Sequence, residues 1–108
     1  MTEICDWDDL VEREGLLYKK FSDVPFTGKT TGKIQGSFRK GRKHGPYVSY
    51  HDNGGIMSKG DYKNDKKVGL WVEYHENGQL RGKGNFRNGV KEGLWVIYNE
   101  DGSVNEKY

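Results

Sequence analysis

From residue 45 onward the chain alternates apolar and polar residues in short runs, broken at regular intervals by Asn, Asp and Gly. The run "GPYVSYHDNGGIMSKGDYKNDKKV" (45–68) is followed by "GLWVEYHENGQLRGKGNFRNGVKE" (69–92) and then by "GLWVIYNEDGSVNEKY" (93–108). The first two share ten identities in 24 positions, and residues 69–84 share eight in 16 with 93–108. A weaker copy covers 21–44, where "GSFRKGRKH" aligns with "GDYKNDKKV" and "GNFRNGVKE". A fixed period of this length is the signature of a repeat architecture. Within a unit, "LWVEY" and "QLRGKGNF" have the β-branched and aromatic character of strands, and "HENG" and "RNGVKEG" have turn chemistry.

The pattern predicts an all-β protein: an antiparallel β-hairpin meander forming a single elongated, twisted sheet. Residues 21–108 make the repeat sheet, with 21–44 degenerate, 45–68 and 69–92 complete, and 93–108 truncated. Residues 1–20 form a separate acidic segment and hairpin, "DLVE" then "GLLYK", turning at Arg13-Glu14-Gly15. Residues 1–8 fit a short helical turn as an alternative.

Parity sharpens the expectation. Side chains alternate faces along a strand, and Leu70, Val72, Tyr74, Leu80, Gly82, Gly84 and Phe86 are all even-numbered. Pairing even with even across each hairpin gives one continuous apolar face from about residue 24 to 104. A three-residue loop, Glu76-Asn77-Gly78, satisfies that pairing by setting Tyr74 opposite Leu80 and Val72 opposite Gly82. The same loop recurs at Asp52-Asn53-Gly54 and Glu100-Asp101-Gly102. Phe86 then faces Leu94, Gly82 faces Tyr98, and the glycines provide floor space for neighbouring rings.

On this reading the odd-numbered face is free. Tyr47, Trp71 and Trp95 hold one repeat position there, opposite Lys59, Lys83 and Lys107, with Arg39, Lys63 and Arg87 flanking. Aromatic rings rimmed by cations are common interface anchors. The expected partner-binding residues are therefore Tyr47, Trp71, Trp95, Lys59, Lys83 and Arg87. The alternative is that these rings only cover the second side of the sheet.

Composition adds limits. Leu, Ile, Val and Phe make up about a fifth of the 108 residues, near the level of disordered chains, but aromatics reach 13% and net charge is only +2. The chain should fold thinly, with rings supplying much of the buried area. The charge is uneven: residues 1–14 carry Glu3, Asp6, Asp8, Asp9, Glu12 and Glu14 against Arg13 alone. One cysteine, Cys5, excludes an intrachain disulfide, and no Cys/His spacing resembles a zinc site. The N-terminus has no secretory pattern and no run reaches membrane-spanning length, which suggests a cytoplasmic protein.

The unit Gly69-Leu70-Trp71-Val72-Glu73-Tyr74, Asn77-Gly78-Gln79-Leu80, Gly84-Asn85-Phe86 and Asn88-Gly89 resembles the bacterial variant of the MORN repeat. The resemblance covers 45–108 well and 21–44 weakly, and "VPFTGK" (24–29) looks like the opening segment of such proteins. Pro46-Tyr47 stands where the pattern has Leu-Trp, and Asp65 where it has Gly. The resemblance implies a β-hairpin meander. Its bacterial members are often labelled antitoxin-like or immunity-like, and its eukaryotic ones are linked to scaffolding and membrane association.

No catalytic constellation is legible. His51 and His75 occupy equivalent positions beside turns and His44 stands apart, so these are expected as lone surface imidazoles. Cys5 sits among acids, which raise a thiol pKa. No phosphate-cradling glycine motif is present. The expectation is a non-enzymatic protein-binding module without cofactor or metal, an inhibitor or antitoxin-like protein that occludes a protein partner; a phage-borne inhibitor of a host defence protein would carry the same features. Nucleic-acid or anionic-membrane binding through the aromatic and basic face is the alternative. The small net charge argues against nucleic acid and the short basic clusters give membrane binding weak support. Self-association through edge strands is open.

Overall fold

The computed structural model describes residues 3–107; Met1, Thr2 and Tyr108, at the ends of the N-terminal segment and the truncated unit, lie outside the described residues. Eleven strands follow one another: β1 (Ile4–Asp6), β2 (Leu10–Arg13), β3 (Leu16–Lys19), β4 (Gly28–Thr31), β5 (Ile34–Arg39), β6 (Arg42–Tyr50), β7 (Ile56–Lys63), β8 (Lys66–Tyr74), β9 (Leu80–Arg87), β10 (Val90–Tyr98) and β11 (Val104–Lys107). Nine form one sheet in the order β1-β4-β5-β6-β7-β8-β9-β10-β11, and β2 and β3 form a separate hairpin. From β4 to β11 every neighbour is antiparallel. β1 instead runs parallel to β4, so the acidic N-terminal segment contributes an edge strand to the repeat sheet. A short 3-10 turn follows at Trp7–Asp9, within a residue of the helical turn expected for 1–8. The hairpin turns at Glu14-Gly15, pairing Arg13 with Leu16. The sheet is long and thin, with extents of 47 × 30 × 25 Å.

Two turn types alternate along the two long edges of the meander. On one edge are the three-residue loops expected from Asn-Gly and Asp-Gly. His75 N–H donates to Gln79 O (2.8 Å) and Gly78 N–H to His75 O (2.9 Å), with Gly78 left-handed at φ 86°. The other edge carries tight two-residue turns at Lys40-Gly41, Asn64-Asp65 and Asn88-Gly89. Both residues of each have positive φ, as the twist of an antiparallel hairpin favours.

These two-residue turns overturn the expected parity. Arg87 pairs with Val90 and Lys63 with Lys66, so each such hairpin joins odd to even. At the other edge Tyr74 does pair with Leu80, as expected, but the register shifts immediately. Glu73 pairs with Gly82 and Val72 with Lys83, leaving Arg81 as an extra residue in β9. Phe86 faces Lys91 and Gly82 faces Ile97, where Leu94 and Tyr98 were expected. Even-numbered residues therefore change sides from strand to strand. Beyond the bulges that leave Ile56 and Leu80 on the other side, one face collects odd residues of β6, β8 and β10 with even residues of β5, β7 and β9.

That face holds the core, the reverse of the sequence expectation. Tyr47, Trp71 and Trp95 are buried there, with Tyr62, Phe86 and Ile34 packed against them. At the N-terminal end Phe26 and Trp7 lie against Phe38, with ring centroids 5.9 and 6.0 Å apart. Of the even-numbered residues assigned to a core, Leu70 is 55% and Leu94 65% exposed.

Candidate functional site

A single-layer sheet buries a tryptophan only if something lies beneath it and something beside it. Here the floor is glycine. A Cβ built on Gly60 would meet Trp71 Cδ2 at 2.3 Å, and one on Gly84 would meet Trp95 Cδ2 at 2.2 Å. Each indole thus lies across the glycine of the preceding strand. The walls are rings: Trp71 meets Tyr62 and Phe86 edge-on, at 5.0 and 6.4 Å between centroids, and Trp95 meets Phe86 at 5.1 Å. Both indoles are pinned, because Trp71 Nε1–H donates to Asp61 O (2.9 Å) and Trp95 Nε1–H to Asn85 O (3.1 Å). Trp71 is left 1% and Trp95 3% exposed.

Lysines cap the column. Lys43 Nζ lies 5.0 Å from the Tyr62 ring centroid, Lys67 Nζ 4.6 Å from Trp71, and Lys91 Nζ 4.7 Å from Trp95. Sequence reasoning assigned this role to Lys59, Lys83 and Lys107 and missed the true set. The signal was present, since Lys43, Lys67 and Lys91 also recur every 24 residues. Burial makes the phenols under these caps harder to ionise. It raises Tyr47 above its ordinary value and, with Tyr47 and Asp65 adding, pushes Tyr62 up to about 12.

The six expected partner-binding residues therefore do not share a surface. Tyr47, Trp71 and Trp95 are structural. Lys59 and Lys83 lie on the opposite face, and Arg87 stands by the Asn88-Gly89 turn, 3.7 Å from Glu92 Oε1.

The opposite face is open. A row crosses six strands in which each residue pairs directly with the next: Val48, Lys59, Val72, Lys83, Val96 and Lys107. The lysines recur every second strand, about 10 Å apart. Beside that row Tyr50 pairs with Ile56, Tyr74 with Leu80 and Tyr98 with Val104. Leu70 and Leu94 lie on its other side. Lys59 and Lys83 are in no ion pair among the described residues, whose ion pairs lie elsewhere. A shallow groove over β6–β8 is lined by Pro46, Val48, Lys59, Asp61, Leu70 and Val72. The surface is apolar, basic and periodic.

The histidines expected as lone imidazoles have partners. The Tyr74 carbonyl can only accept, so His51 Nε2–H donates to it (2.9 Å), and His75 Nε2–H donates likewise to Tyr98 O (2.9 Å). Asn53 and Asn77 side-chain amides donate to Glu76 O (2.7 Å) and Glu100 O (2.9 Å). Each loop is thereby tied to the loop one unit on. Among the described residues no group of three His, Cys, Asp or Glu side chains converges on a metal-sized site. Burial, then Glu3, holds the Cys5 thiol above its ordinary pKa, which disfavours the reactive thiolate. Among the described residues no helix is long and apolar enough to cross a membrane.

Two units of this sheet match a known family. Residues 43–64 and 67–88 each fit the MORN repeat variant. No curated protein and no solved structure matches the chain. The matched MORN segments start at Lys43 and Lys67, two residues ahead of the units read from the sequence. Each runs from a capping lysine through the strand bearing the buried ring to the end of the next strand.

Proposed function

We propose that the chain is a non-enzymatic protein-binding module whose contact surface is the open Val/Lys face of the sheet. The observation behind this reading is the asymmetry of the two faces. One is closed by rings lying on glycines, while the other leaves Leu70 and Leu94 exposed beside a row in which exposed Lys59, Lys83 and Lys107 alternate with half-buried Val48, Val72 and Val96. Apolar residues with regularly placed, unpaired lysines complement a protein surface that is apolar with acidic groups about 10 Å apart. The finer reading, an inhibitor or antitoxin-like protein that occludes its partner, rests on the resemblance to the bacterial MORN variant and on the regular repetition of the open face. Nucleic acid or an anionic membrane is the alternative class of partner.

The test starts from a partner isolated from source cells and purified. It is titrated with wild type, Leu70→Asp, Lys83→Glu and Arg42→Gln, the last lying outside the row. Expected are losses of at least about tenfold for Leu70→Asp and Lys83→Glu, little change for Arg42→Gln, and melting temperatures close to wild type for all. Equal affinity in all four would refute the assignment to this face. Tighter binding to single-stranded DNA or to phosphatidylglycerol vesicles than to any protein, collapsing with added salt, would replace the protein with a polyanion.

A further inference from the structure

Phe21 is the most exposed large apolar residue described, with its whole side chain in solvent. It also stands at φ 66°, a left-handed conformation that a bulky side chain rarely adopts and that glycine or asparagine would occupy more easily. Two unfavourable choices coincide at one position. A floppy loop would relieve both by turning the ring inward or relaxing the backbone.

This loop is fastened instead. The Arg13 guanidinium lies 4.1 Å from the Tyr18 ring centroid and donates to Ser22 O. Ser22 N–H donates to Lys19 O (3.0 Å), and Val24 N–H donates to Ser22 Oγ (3.2 Å). Beyond it, Tyr18 bridges to Pro25, and Phe26 N–H donates to Leu17 O (2.8 Å). The residues on both sides of Phe21 are thus held by β2, β3 and the Lys40-Gly41 turn, where Leu17 N–H meets Gly41 O (3.0 Å). Val24, 71% exposed, adds a second apolar group three residues on.

The surroundings set the partner's charge. Glu12, Glu14 and Asp23 are exposed within the same hairpin and loop and are in no ion pair among the described residues, as are Asp8 and Asp9 just upstream. Of the nearby cations, Arg13 is engaged with Tyr18 and Ser22, and Lys19 with Glu3, leaving Lys20. A hairpin and loop whose unpaired charges are mostly acidic are repelled by anionic lipid and by nucleic acid, and complement Lys and Arg on a protein.

We infer that Phe21 is a preorganised anchor that inserts into an apolar pocket, rimmed by basic residues, on a protein partner. The backbone on both sides of the ring is already fastened, so docking orders only the ring's own rotamers, and aromatic anchors seated in pockets dominate interface energetics. The inference rests on the reading of the chain as a protein-binding module but puts a contact at the N-terminal hairpin, apart from the Val/Lys row.

The experiment replaces Phe21 with the photoreactive p-benzoylphenylalanine in the full chain, irradiates source cells, and identifies the crosslinked peptide. The crosslinked protein is then purified and titrated with wild type, Phe21→Gly, Phe21→Asn and Leu70→Asp. Support consists of crosslinks to residues lining an apolar, Lys/Arg-rimmed pocket, together with a loss of at least about 30-fold for both Phe21 variants. Those variants should melt no lower than wild type, because Gly and Asn suit the left-handed backbone. A loss of affinity with a lowered melting temperature would make Phe21 a structural residue and overturn the inference. So would unchanged affinity in both Phe21 variants; with Leu70→Asp weakened, that result leaves the open face as the binding site. A wild-type dimer in sedimentation that Phe21→Gly dissolves would mean the pocket belongs to a second copy, against the proposal. Absence of any crosslinked protein would overturn this inference and leave the open face to its own test, whereas Phe21-dependent binding to phosphatidylglycerol vesicles would overturn both this inference and the protein-binding reading.

Discussion

Replacing Gly60 with alanine adds one carbon, and the structure says where it goes. The new Cβ would sit 2.3 Å from Cδ2 and Cε2 of Trp71 and 2.6 Å from Cγ. Carbon atoms in contact prefer about 3.5–4.0 Å, so the indole must lift off the strand. It has little room to do so gently, being 1% exposed, bonded to Asp61 O and wedged between Tyr62 and Phe86. Lifting it loses a hydrogen bond of about 1 kcal/mol net and two ring contacts of roughly 0.5–1.5 kcal/mol each. Against this, alanine restricts the unfolded chain by about 0.4–1 kcal/mol. The net cost is about 1–3.5 kcal/mol, and Gly84→Ala beneath Trp95 should behave alike, its Cβ falling 2.2 Å from the ring. Urea unfolding followed by tryptophan fluorescence gives the number. Gly55→Ala is the control, a loop glycine of ordinary φ whose only near neighbour is the Asn53 side chain. If Gly60→Ala and Gly84→Ala unfold within about 0.5 kcal/mol of wild type, the indoles do not lie on these glycines and the account of the core is wrong.

Trp71→Ala should cost about 3–5 kcal/mol and Leu70→Ala less than about 1 kcal/mol, read from the same urea curves; similar costs for the two would contradict the assignment of the faces. The pH dependence follows from Tyr62, whose phenol is held up to about 12 against about 10 in an unfolded chain. The folded state keeps this proton to higher pH, so its contribution is fully present below about pH 10 and is lost between about 10 and 12 as the unfolded chain ionises first. Melting temperatures should therefore fall through that window, and less steeply in Tyr62→Phe; identical slopes would remove Tyr62 as the cause.

The strands, the 24-residue period and the three-residue loops were legible in the sequence because each has a local signature: alternation, self-similarity, and Asn-Gly or Asp-Gly beside a strand. The side of the sheet that becomes the core was not. It hinged on two small features, the two-residue turn at Asn88-Gly89 and the extra residue at Arg81, each of which exchanges odd for even. A stretch such as "RNGVKEG" reads equally well as a long loop, and a strand glycine reads equally well as a bulge or a floor. The floor role of the glycines was visible, but not which ring used it: Gly82 was set opposite Tyr98, where Ile97 lies, and it is Gly84 that carries a ring, that of Trp95. The candidate site suffered most. An alternating Trp-Val pair states that one member is inside and is silent about which, and the larger ring won the interior. Phe21 was passed over because an isolated apolar residue in a turn has no periodicity to mark it.

The lean of each indole onto the strand before its own has a consequence for how such a sheet can lengthen. Trp71 belongs to one unit in sequence, but its socket of Gly60, Tyr62 and the Asp61 carbonyl belongs to the previous one. A 24-residue segment thus carries a plug for its predecessor and a socket for its successor, and neither is filled within the segment itself. An isolated unit would be left with an uncovered indole and an empty floor. A duplicated unit spliced in at the same phase would instead bring one plug and one socket together, so that every contact on either side of the splice is remade in kind. Length is then the property of this fold that changes most easily, and phase the one that cannot change at all.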